Sequence, residues 1–458
     1  MRILITGGTG FIGSKLIEAL FFQGYDDIRL LTRNTIKAKK KIPFPISAYK
    51  WNPHDGYIDS TALDGVDVVI NLAGEGIADK RWNDNRKEEI LNSRIESIKT
   101  LMNEIQLKQT PPRKFISTSA IGIYGNRGDE EITESSSLGN DYLAQVCKEW
   151  EYPVLNHQIK SMQTAIVRIG IVLGRDGGAL SKMLPAFKLG LAGVLGDGNQ
   201  YMSWIHLDDL IGQFIYLLKN ENAEGIYNAV SPTPVPNYVF TKTLGKILNR
   251  PTILSVPNFA LKIVLGEMSQ LLLNGQKVLP KSMQDIGHQF KYVNIEDALK
   301  HILKKEIEGE EYLSQYLWVN KVSEEVFSFF LNVKNLERIT PEILHFKVLG
   351  RNTDLIKMGS EIDCRIKPFG IKIRWRLKIV DFKNEQSFTD IQEFGPFRKW
   401  VHTHDFFRCK EGTLVKDYIV YQLPGGFIGR FLAATLAKKI LYKVFKYRSN
   451  KVQHLLSL

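Results

Sequence analysis

Over its first 300 or so residues the chain alternates short apolar runs with stretches in which apolar residues recur at helical spacing. The apolar runs, which are typical of buried strands, occupy residues 3–6, 28–32, 66–71, 114–119 and 164–169. Amphipathic stretches such as 86–105 and 141–158 separate them. Strands that alternate with helices predict an α/β fold with a parallel sheet covered by helices on both faces.

The pattern of the chain changes near residue 304. Residues 304–311 are mostly charged and predict a linker. Strand-like alternation then appears at residues 371–379, 387–393 and 413–422, and one long amphipathic helix follows to the end. Strands followed by a helix favour an α+β domain. Two domains are therefore predicted, 1–304 and 312–458, with residues 232–304 as a small C-terminal subdomain of the first.

Composition narrows the class of protein without identifying it. The chain is 44% hydrophobic and 24% charged, as globular proteins are. It has no apolar run of the 18 or more residues that a membrane span needs. Its three scattered cysteines form no disulfide framework and fit a reducing compartment. Because the first strand starts at Arg2, we expect no cleaved leader segment and a cytoplasmic location.

The formal net charge of +12 raises nucleic acid and anionic membranes as partners. Much of the excess is local, because residues 429–458 hold seven Lys or Arg and no acidic residue. Nucleic acid is therefore not predicted as a partner. Contact of the basic last helix with a membrane surface stays open, but an apolar face packed on the sheet with a solvated lysine face is favoured.

A glycine-rich turn, Thr6 to Gly13, lies between the first strand and the first helix. Gly7 suits a tight turn, Gly10 allows backbone amides to approach a pyrophosphate, and Gly13 permits close packing of helix and strand. The phosphates would rest on the N-terminus of the helix, where unpaired N–H groups and the helix dipole favour anions. This placement after a strand and before a helix predicts a dinucleotide site.

The end of the second strand favours NADP over NAD. An NAD site would normally offer Asp or Glu there to the ribose 2′-hydroxyl, and this chain has Thr32 and Arg33 instead. A guanidinium group matches a 2′-phosphate through paired, charge-assisted hydrogen bonds.

The N-terminal two-thirds of the chain resembles the NADP-binding epimerase-like family of the extended short-chain dehydrogenase/reductase superfamily. The resemblance rests on residues 6–13, 32–33, 71–75, 81–83, 167–168, 173–178, 204–210, 265–268 and 275–280, in order and with the family's spacing. It implies a Rossmann doubly wound parallel sheet with a small C-terminal substrate subdomain. It also implies cofactor contacts beyond Gly7, Gly10, Gly13, Thr32 and Arg33, at Phe11, Ile12, Leu72, Ala73, Gly74, Glu89, Arg94 and Val172. Solvated charges on one helix remain the alternative for Glu89 and Arg94.

The catalytic residues of that superfamily are only partly present. Its members use Ser, Tyr and Lys, with Tyr and Lys four residues apart on one helix face. Ser119 and Tyr142 are the candidates here, but Val146 stands where the lysine is expected. Two hypotheses stay open: an NADP(H)-dependent oxidoreductase or nucleotide-sugar-epimerase-like enzyme of unknown small-molecule substrate, and a non-catalytic NADP(H)-binding sensor or ligand carrier.

Two segments are expected to shape a substrate pocket over the nicotinamide. One is the glycine-rich stretch 190–200, which predicts a lid, and the other is Trp204 to His206. His206 is either an acid or base or a loop histidine that packs beside Trp204. Asp208 is expected to cap the following helix.

The last third of the chain resembles the helix-grip superfamily that includes START and polyketide-cyclase-like proteins. In such folds an antiparallel sheet curls around a long C-terminal helix, which implies an apolar cavity and a hydrophobic ligand. Apolar residues recur at helical spacing in the last helix, at Phe427, Ile428, Phe431, Leu432, Leu436, Ile440, Val444 and Phe445. Trp400, His402, His404 and Phe406 alternate on one strand face. No third ligand beside the two histidines is obvious, so no metal site is predicted.

Overall fold

The computed structural model describes residues 1–457. For Phe369 and residues 426–435 it describes only the backbone. Phe427, Ile428, Phe431 and Leu432 of the predicted amphipathic helix therefore lie outside the described side chains. The chain separates into two compact units, Met1–Leu303 and Lys304–Leu458. None of the helices in the described part of the chain is long and apolar enough to cross a membrane.

The first unit is built from short strands and helices in alternation. Its strands are β1 (Arg2–Thr6), β2 (Asp27–Thr32), β3 (Ser47–Asn52), β4 (Tyr57–Ile58), β5 (Val68–Asn71), β6 (Lys114–Ala120), β7 (Glu131–Ile132), β8 (Gln163–Ile169), β9 (Ile171–Leu173), β10 (Val194–Leu195), β11 (Tyr201–Met202), β12 (Trp204–His206), β13 (Gly225–Ala229), β14 (Val235–Pro236), β15 (Ser255–Val256) and β16 (Lys277–Val278). Its helices are α1 (Phe11–Phe22), α2 (Thr35–Lys41), α3 (Asp84–Gln106), α4 (Tyr142–Leu155), α5 (Gly178–Lys188), α6 (Leu207–Lys219), α7 (Asn237–Leu248), α8 (Asn258–Leu265), α9 (Gln270–Leu273), α10 (Lys281–Asp285) and α11 (Ile295–Ile302).

The main sheet of this unit has eight strands in the order β13-β8-β6-β5-β1-β2-β3-β4. Every neighbouring pair is parallel except β3 and β4. From β3 to β8 the order is that of the doubly wound dinucleotide-binding fold. The predicted Rossmann sheet is confirmed. The strand order reverses between β1 and β5, and ligands of open α/β sheets bind in the crevice at such a point.

Both faces of this sheet are covered, as the apolar strands predict. Ile3, Leu4 and Ile5 of β1 are fully buried, and so are Val68, Val69 and Ile70 of β5. A second cluster of buried side chains, which includes Leu180, Trp204, Phe240 and Leu299, joins α5, α7 and α11 beside the sheet. The cluster also includes Leu173 of β9 and Trp204 of β12, two strands that pair with each other. The elements after β13 therefore pack beside β9, which directly follows the main-sheet strand β8.

The second unit contains a seven-stranded antiparallel sheet and a long last helix. Its strands are β17 (Glu311–Val319), β18 (Lys347–Arg351), β19 (Glu361–Ile366), β20 (Ile373–Lys383), β21 (Ser387–Phe394), β22 (Lys399–Cys409) and β23 (Gly412–Gln422). Its helices are α12 (Lys304–Glu308), α13 (Ser323–Leu331), α14 (Val333–Arg338) and α15 (Gly426–Leu456). The strand order is β17-β23-β22-β21-β20-β19-β18, with all neighbours antiparallel.

One face of this sheet carries the core of the second unit. Phe327 and Phe330 of α13 pack there with Phe406 of β22, and the last helix adds Phe445 and Val452 to the buried side chains. The predicted antiparallel sheet followed by a long helix is confirmed, while the helix-grip assignment stays a prediction. The stretch 304–311, predicted as a linker, begins where the two units divide, after Leu303, and its residues Lys304–Glu308 form the short helix α12.

Candidate functional site

The turn between β1 and α1 is built so that only glycine fits at two positions. Gly7 has φ +63°, and a Cβ there would lie 2.5 Å from the carbonyl oxygen of Leu72. A Cβ at Gly13 would lie 2.5 Å from the carbonyl oxygen of Gly7. The amide of Gly10 donates to that same oxygen at 2.9 Å and closes the turn.

The N-terminus of α1 is suited to an anion. The helix begins at Phe11, its first turn holds no acidic residue, and no described side chain caps it. The N–H groups of Phe11, Ile12 and Gly13 therefore have no partner within the helix. With the helix dipole they form the kind of site that binds phosphate.

A hydrogen-bond network ties the loop after β5 to β1. The hydroxyl of Thr6 donates to Asn71 Oδ1 at 2.6 Å. The same hydroxyl accepts from the amides of Leu72 and Ala73, each at 3.1 Å. Leu72 and Ala73 thus lie beside the glycine turn, on the crevice side that the resemblance implies for them.

Arg94 of α3 contacts this loop at Gly74 and Glu75. Its side chain is buried and donates to the carbonyl oxygens of Ile90 at 2.8 Å and of Glu75 at 3.0 Å. Its guanidinium carbon lies 4.8 Å from the ring centroid of Trp150, and a Cβ on Gly74 would lie 3.3 Å from it. Burial lowers the pKa of Arg94 from its usual value. The structure gives Arg94 a positioning role for residues 72–75, which the alternative of a solvated charge does not explain.

Arg33 stands at the mouth of the crevice, where β2 ends beside β1. Its side chain is 75% exposed, and its guanidinium lies 3.7 Å from Glu75 Oε1. Thr32 Oγ1 accepts from the amide of Asn34 at 3.3 Å and shapes the turn into α2. The other carboxylate oxygen of Glu75 lies 3.8 Å from Arg86, which is buried. Glu75, within the motif 71–75, thus lies between Arg33 and Arg86, a placement that the sequence alone does not indicate.

Glu89 lies on the outer side of this group. Its carboxylate is 57% exposed and pairs with Arg86 at 2.7 Å. This hydrogen bond is the main reason that the pKa of Glu89 lies below its usual value. Of the two helix charges, Glu89 therefore fits the alternative of a solvated ion pair.

Phe11 connects the glycine turn to the segment after β9. A Cβ at Gly174 or Gly177 would lie within 2.5 Å of the Phe11 ring. A Cβ at Gly178 would lie 2.5 Å from the carbonyl oxygen of Val172. These glycines let the backbone close over the first turn of α1, with Val172 in the strand that pairs with β12.

The two catalytic candidates, Ser119 and Tyr142, have different neighbours and hydrogen bonds. Ser119 ends the buried part of β6, and its hydroxyl has no hydrogen-bond partner among the described residues. It borders the thiol of Cys147, whose pKa burial raises to about 12. Tyr142 begins α4, and its hydroxyl donates to the carbonyl oxygen of Lys87 at 2.9 Å. Burial raises the pKa of Tyr142, and Val146 in the lysine position is itself buried.

Comparisons with known proteins match the first unit. Residues 3–229 match the model of the NAD dependent epimerase/dehydratase family. An Arabidopsis thaliana protein, the chloroplastic homologue of epimerase family protein SDR39U1, is 39% identical over 313 residues, which are 66% of this chain and 87% of that protein. The chain belongs to the NAD dependent epimerase/dehydratase family. Residues 256–302 match a domain of unknown function, DUF1731.

Two solved members of this epimerase family share the fold of the first unit. Human epimerase family protein SDR39U1 (isoform 2), solved with NADPH, is 32% identical with a TM-score of 0.60, over 66% of this chain and 99% of that chain. The nucleoside-diphosphate sugar epimerase from Corynebacterium glutamicum is 31% identical with a TM-score of 0.54, over 66% of this chain and 58% of that chain.

His206 has a structural role that does not suit an acid or base. Its Nδ1 accepts from the amide of Asp208 at 2.9 Å, so His206 and not Asp208 caps α6. Its Nε2 lies 3.1 Å from His301 Nδ1, and its ring stacks on Tyr292 at 4.0 Å. Burial lowers the pKa of His206 to about 4. Both ring nitrogens are thus engaged, which favours a structural role, although the ring packs on Tyr292 and not beside Trp204 as the alternative had it.

The predicted lid at 190–200 is tied down in this structure. Val194 and Leu195 form β10, which pairs in parallel with β15. The side-chain amide of Gln200 donates to the carbonyl oxygens of Leu195 and Leu272, each at 3.0 Å. These contacts join the segment to Ser255, Val256 and Leu272 of the subdomain.

In the second unit, β22 presents the predicted alternating face. Trp400, His402, His404 and Phe406 are all buried. Burial lowers the pKa of His402 to about 4. The side chains opposite are Asp390 on β21 and Asp417 on β23, and sequence reasoning missed both. Their pairing with the histidines depends on strand register, which no local pattern reveals.

The apolar cavity expected in the second unit is small. A pocket of about 30 Å³ opens between α13, α14, the sheet and α15, which is room for about two water molecules. Phenylalanines such as Phe330 and Phe388 fill the space around it. A hydrophobic ligand of this unit stays a prediction.

Proposed function

We propose that the first unit binds NADP(H) in the crevice between β1 and β5 and that the protein is an NADP(H)-dependent oxidoreductase or nucleotide-sugar-epimerase-like enzyme. The observation that carries the proposal is the turn in which Gly7 lies against the Leu72 carbonyl and α1 begins without a cap. The turn leaves space and free N–H groups where a pyrophosphate would lie. The NADPH bound to the related human protein supports the same choice of cofactor.

The preference for NADP(H) over NAD(H) rests on Arg33. Its guanidinium is exposed at the end of β2 and is held only loosely by Glu75, at 3.7 Å. A 2′-phosphate offers this cation a stronger partner than a single carboxylate at that distance. The 2′-hydroxyl of NAD(H) offers no charge, so Arg33 contributes little to its binding.

Replacing Arg33 by aspartate is expected to weaken NADPH binding at least about 10-fold more than NADH binding, because a charge-assisted contact worth roughly 1.5–3 kcal/mol is lost and reversed. Fluorescence titration of both cofactors measures the difference. Lys40→Asp, on the exposed side of α2, changes the net charge equally and serves as the control. Equal losses for NADPH and NADH in Arg33→Asp would contradict the assignment.

The chemistry that we propose is hydride transfer, and bound NADPH would supply the hydride. Tyr142 would give its phenolic proton to the oxygen of a carbonyl substrate, and Ser119 would orient that oxygen. Burial raises the pKa of Tyr142 above that of an ordinary phenol, which disfavours the tyrosinate that would act as a base in the oxidation direction. The Tyr142 hydroxyl, which donates its hydrogen bond to the Lys87 carbonyl oxygen in this structure, would have to rotate toward the substrate.

A second candidate is a non-catalytic protein that binds NADP(H) as a sensor or carrier. The observation that favours it is Val146, which is buried where a lysine would lower the pKa of Tyr142. The hydrogen bond from Tyr142 to Lys87 points the same way, because it engages the only proton that this tyrosine has to give.

Oxidation of NADPH with a panel of carbonyl compounds and nucleotide sugars separates the two candidates. We expect turnover, and we expect Tyr142→Phe to lower kcat roughly 100-fold while the Kd for NADPH stays unchanged, because only the proton donor is removed. Tyr152→Phe is the control, since Tyr152 is an exposed tyrosine on the same helix. Tight NADPH binding without turnover on the whole panel would favour the non-catalytic candidate.

A further inference from the structure

The second unit buries four ionisable side chains at the centre of its sheet. His402 and His404 lie two residues apart on β22, with Asp390 opposite His402 on β21 and Asp417 opposite His404 on β23. All four are at most 6% exposed. Buried charges are normally paired or bound to metal ions, so two carboxylates at this depth need nearby positive charge. Arg448, which lines the adjoining pocket, supplies one such charge.

Three atoms of this group face a common point. Asp390 Oδ2 lies 3.4 Å from His402 Nδ1 and 3.7 Å from His404 Nε2. One ligand atom from each of Asp390, His402 and His404 lies within 4.8 Å of the other two. Metal–ligand bonds of about 2.0–2.1 Å at a tetrahedral angle separate neighbouring donors by roughly 3.3 Å. The spacing is longer than a good hydrogen bond but close to that of donors around one cation.

Two further side chains contact these donors from the other side. Asp417 Oδ1 is hydrogen-bonded to His402 Nε2 at 3.1 Å, and it lies 2.6 Å from His404 Nδ1 without the geometry of a hydrogen bond. Trp400 Nε1 donates to Asp390 Oδ1 at 3.2 Å and leaves Oδ2 to face the histidines. In metal sites a carboxylate on the far nitrogen of a ligating histidine fixes the tautomer and the ring orientation.

The pocket of about 30 Å³ gives this group access to a small ligand. Asp390 and His404 are two of its lining residues, and most of the others are apolar. A site with three protein ligands and an adjoining space for water has the arrangement of catalytic metal sites, whereas structural sites are closed by four protein ligands.

A cluster of the first unit with similar spacing does not have these properties. His206, Asp208 and His301 also bring donor atoms within 4.8 Å of one another. Both ring nitrogens of His206 are already used, one by the amide of Asp208 and the other by His301. Its hydrogen bonds and helix cap account for this cluster without a metal ion.

We propose that Asp390 Oδ2, His402 Nδ1 and His404 Nε2 form a binding site for a divalent first-row transition-metal ion, with Zn²⁺ as its simplest occupant. Two imidazoles and one carboxylate suit ions such as Zn²⁺ and Fe²⁺, whereas Ca²⁺ and Mg²⁺ prefer oxygen ligands. The open coordination position faces the pocket. All three proposed ligands belong to the second unit.

The first test uses the full-length protein without a polyhistidine tag, stripped with EDTA and titrated with Zn²⁺ by calorimetry. One Zn²⁺ per chain is expected, with binding weakened at least about 10-fold in Asp390→Asn and in His404→Gln. His345→Asn removes an exposed imidazole of the same unit and is expected to bind as the unchanged protein does. No uptake by the unchanged protein, or equal affinity in Asp390→Asn, would overturn the proposal and leave a buried ion-pair network.

A second measurement does not depend on the folding of the variants. X-ray absorption of the unchanged protein loaded with Co²⁺ reports the ligands directly. Scattering from two imidazoles per cobalt would support the site when it persists in His301→Gln, which removes an exposed histidine of the first-unit cluster and leaves the pair on β22. A cobalt environment without imidazole would overturn it.

Discussion

Gly7→Ala is expected to destabilise the first unit by roughly 2–5 kcal/mol and to weaken NADPH binding at least about 10-fold. Two separate effects add up at this position. A left-handed backbone costs an L-residue about 1–2 kcal/mol, and Gly7 has φ +63°. The new Cβ would also lie 2.5 Å from the Leu72 carbonyl oxygen, which belongs to backbone and cannot rotate away. Either β1 and β5 separate at this end or the turn moves, and both changes disturb the crevice.

Gly56 provides a matched control for the first of these effects. It has the same φ of +63°, but no described atom lies within 4 Å of a Cβ built there. Gly56→Ala should therefore show only the backbone cost of about 1–2 kcal/mol, and NADPH should bind unchanged. Thermal unfolding and NADPH titration of both variants measure the difference. Equal effects of the two substitutions would show that the contact with Leu72 carries no weight.

The N-terminal part of the site could be predicted because its signal is local in sequence. The glycines of the turn lie within seven residues. At Gly7 and Gly13 the structure shows why glycine is needed, because a Cβ there would lie too close to a backbone carbonyl oxygen. Arg33 was equally accessible, because its position follows from the end of a strand. Where a strand, a turn and a helix follow directly along the chain, spacing alone fixes which residues meet.

Other parts of the site depend on contacts between distant segments. The hydrogen bond from Tyr142 to the Lys87 carbonyl joins two helices that are 55 residues apart in sequence. Asp390 and Asp417 reach the histidines of β22 only through the register of three strands. A shift by one residue would turn each carboxylate to the other face of the sheet, and the sequence carries no local mark that excludes it.

The subdomain strands escaped prediction for a different reason. Strands β14, β15 and β16, and the strands β11, β10 and β7 that pair with them, are only two residues long, and a periodic pattern needs more positions to be recognised. The helix α12 within the charged stretch was not predicted, because charge alone neither indicates nor excludes a helix. Lysine and glutamate are good helix formers, and Lys304 and Glu308 pair at i, i+4 on α12.

The largest loss of stability is expected from Arg168→Met, at roughly 3–5 kcal/mol. Arg168 on β8 and Glu151 on α4 form a two-fold hydrogen-bonded ion pair, with N–O distances of 2.9 and 2.7 Å. Their side chains are only 3% and 4% exposed. The remaining guanidinium nitrogen donates to the Tyr124 hydroxyl at 2.8 Å. Methionine fills similar space but leaves the Glu151 carboxylate buried without a cation, and that uncompensated charge is the main cost.

Adding Glu151→Leu to Arg168→Met tests whether the buried carboxylate is the main cost. Arg168→Met combined with Glu151→Leu removes both charges, so the double variant should be more stable than Arg168→Met alone, although it has lost one more polar group. Lys281→Met is the control, because it breaks an exposed pair with Asp285 and should cost under about 1 kcal/mol. Calorimetric unfolding of the four proteins gives the comparison. A double variant less stable than Arg168→Met would mean that lost packing and hydrogen bonds, and not the buried carboxylate, determine the stability of this helix on the sheet.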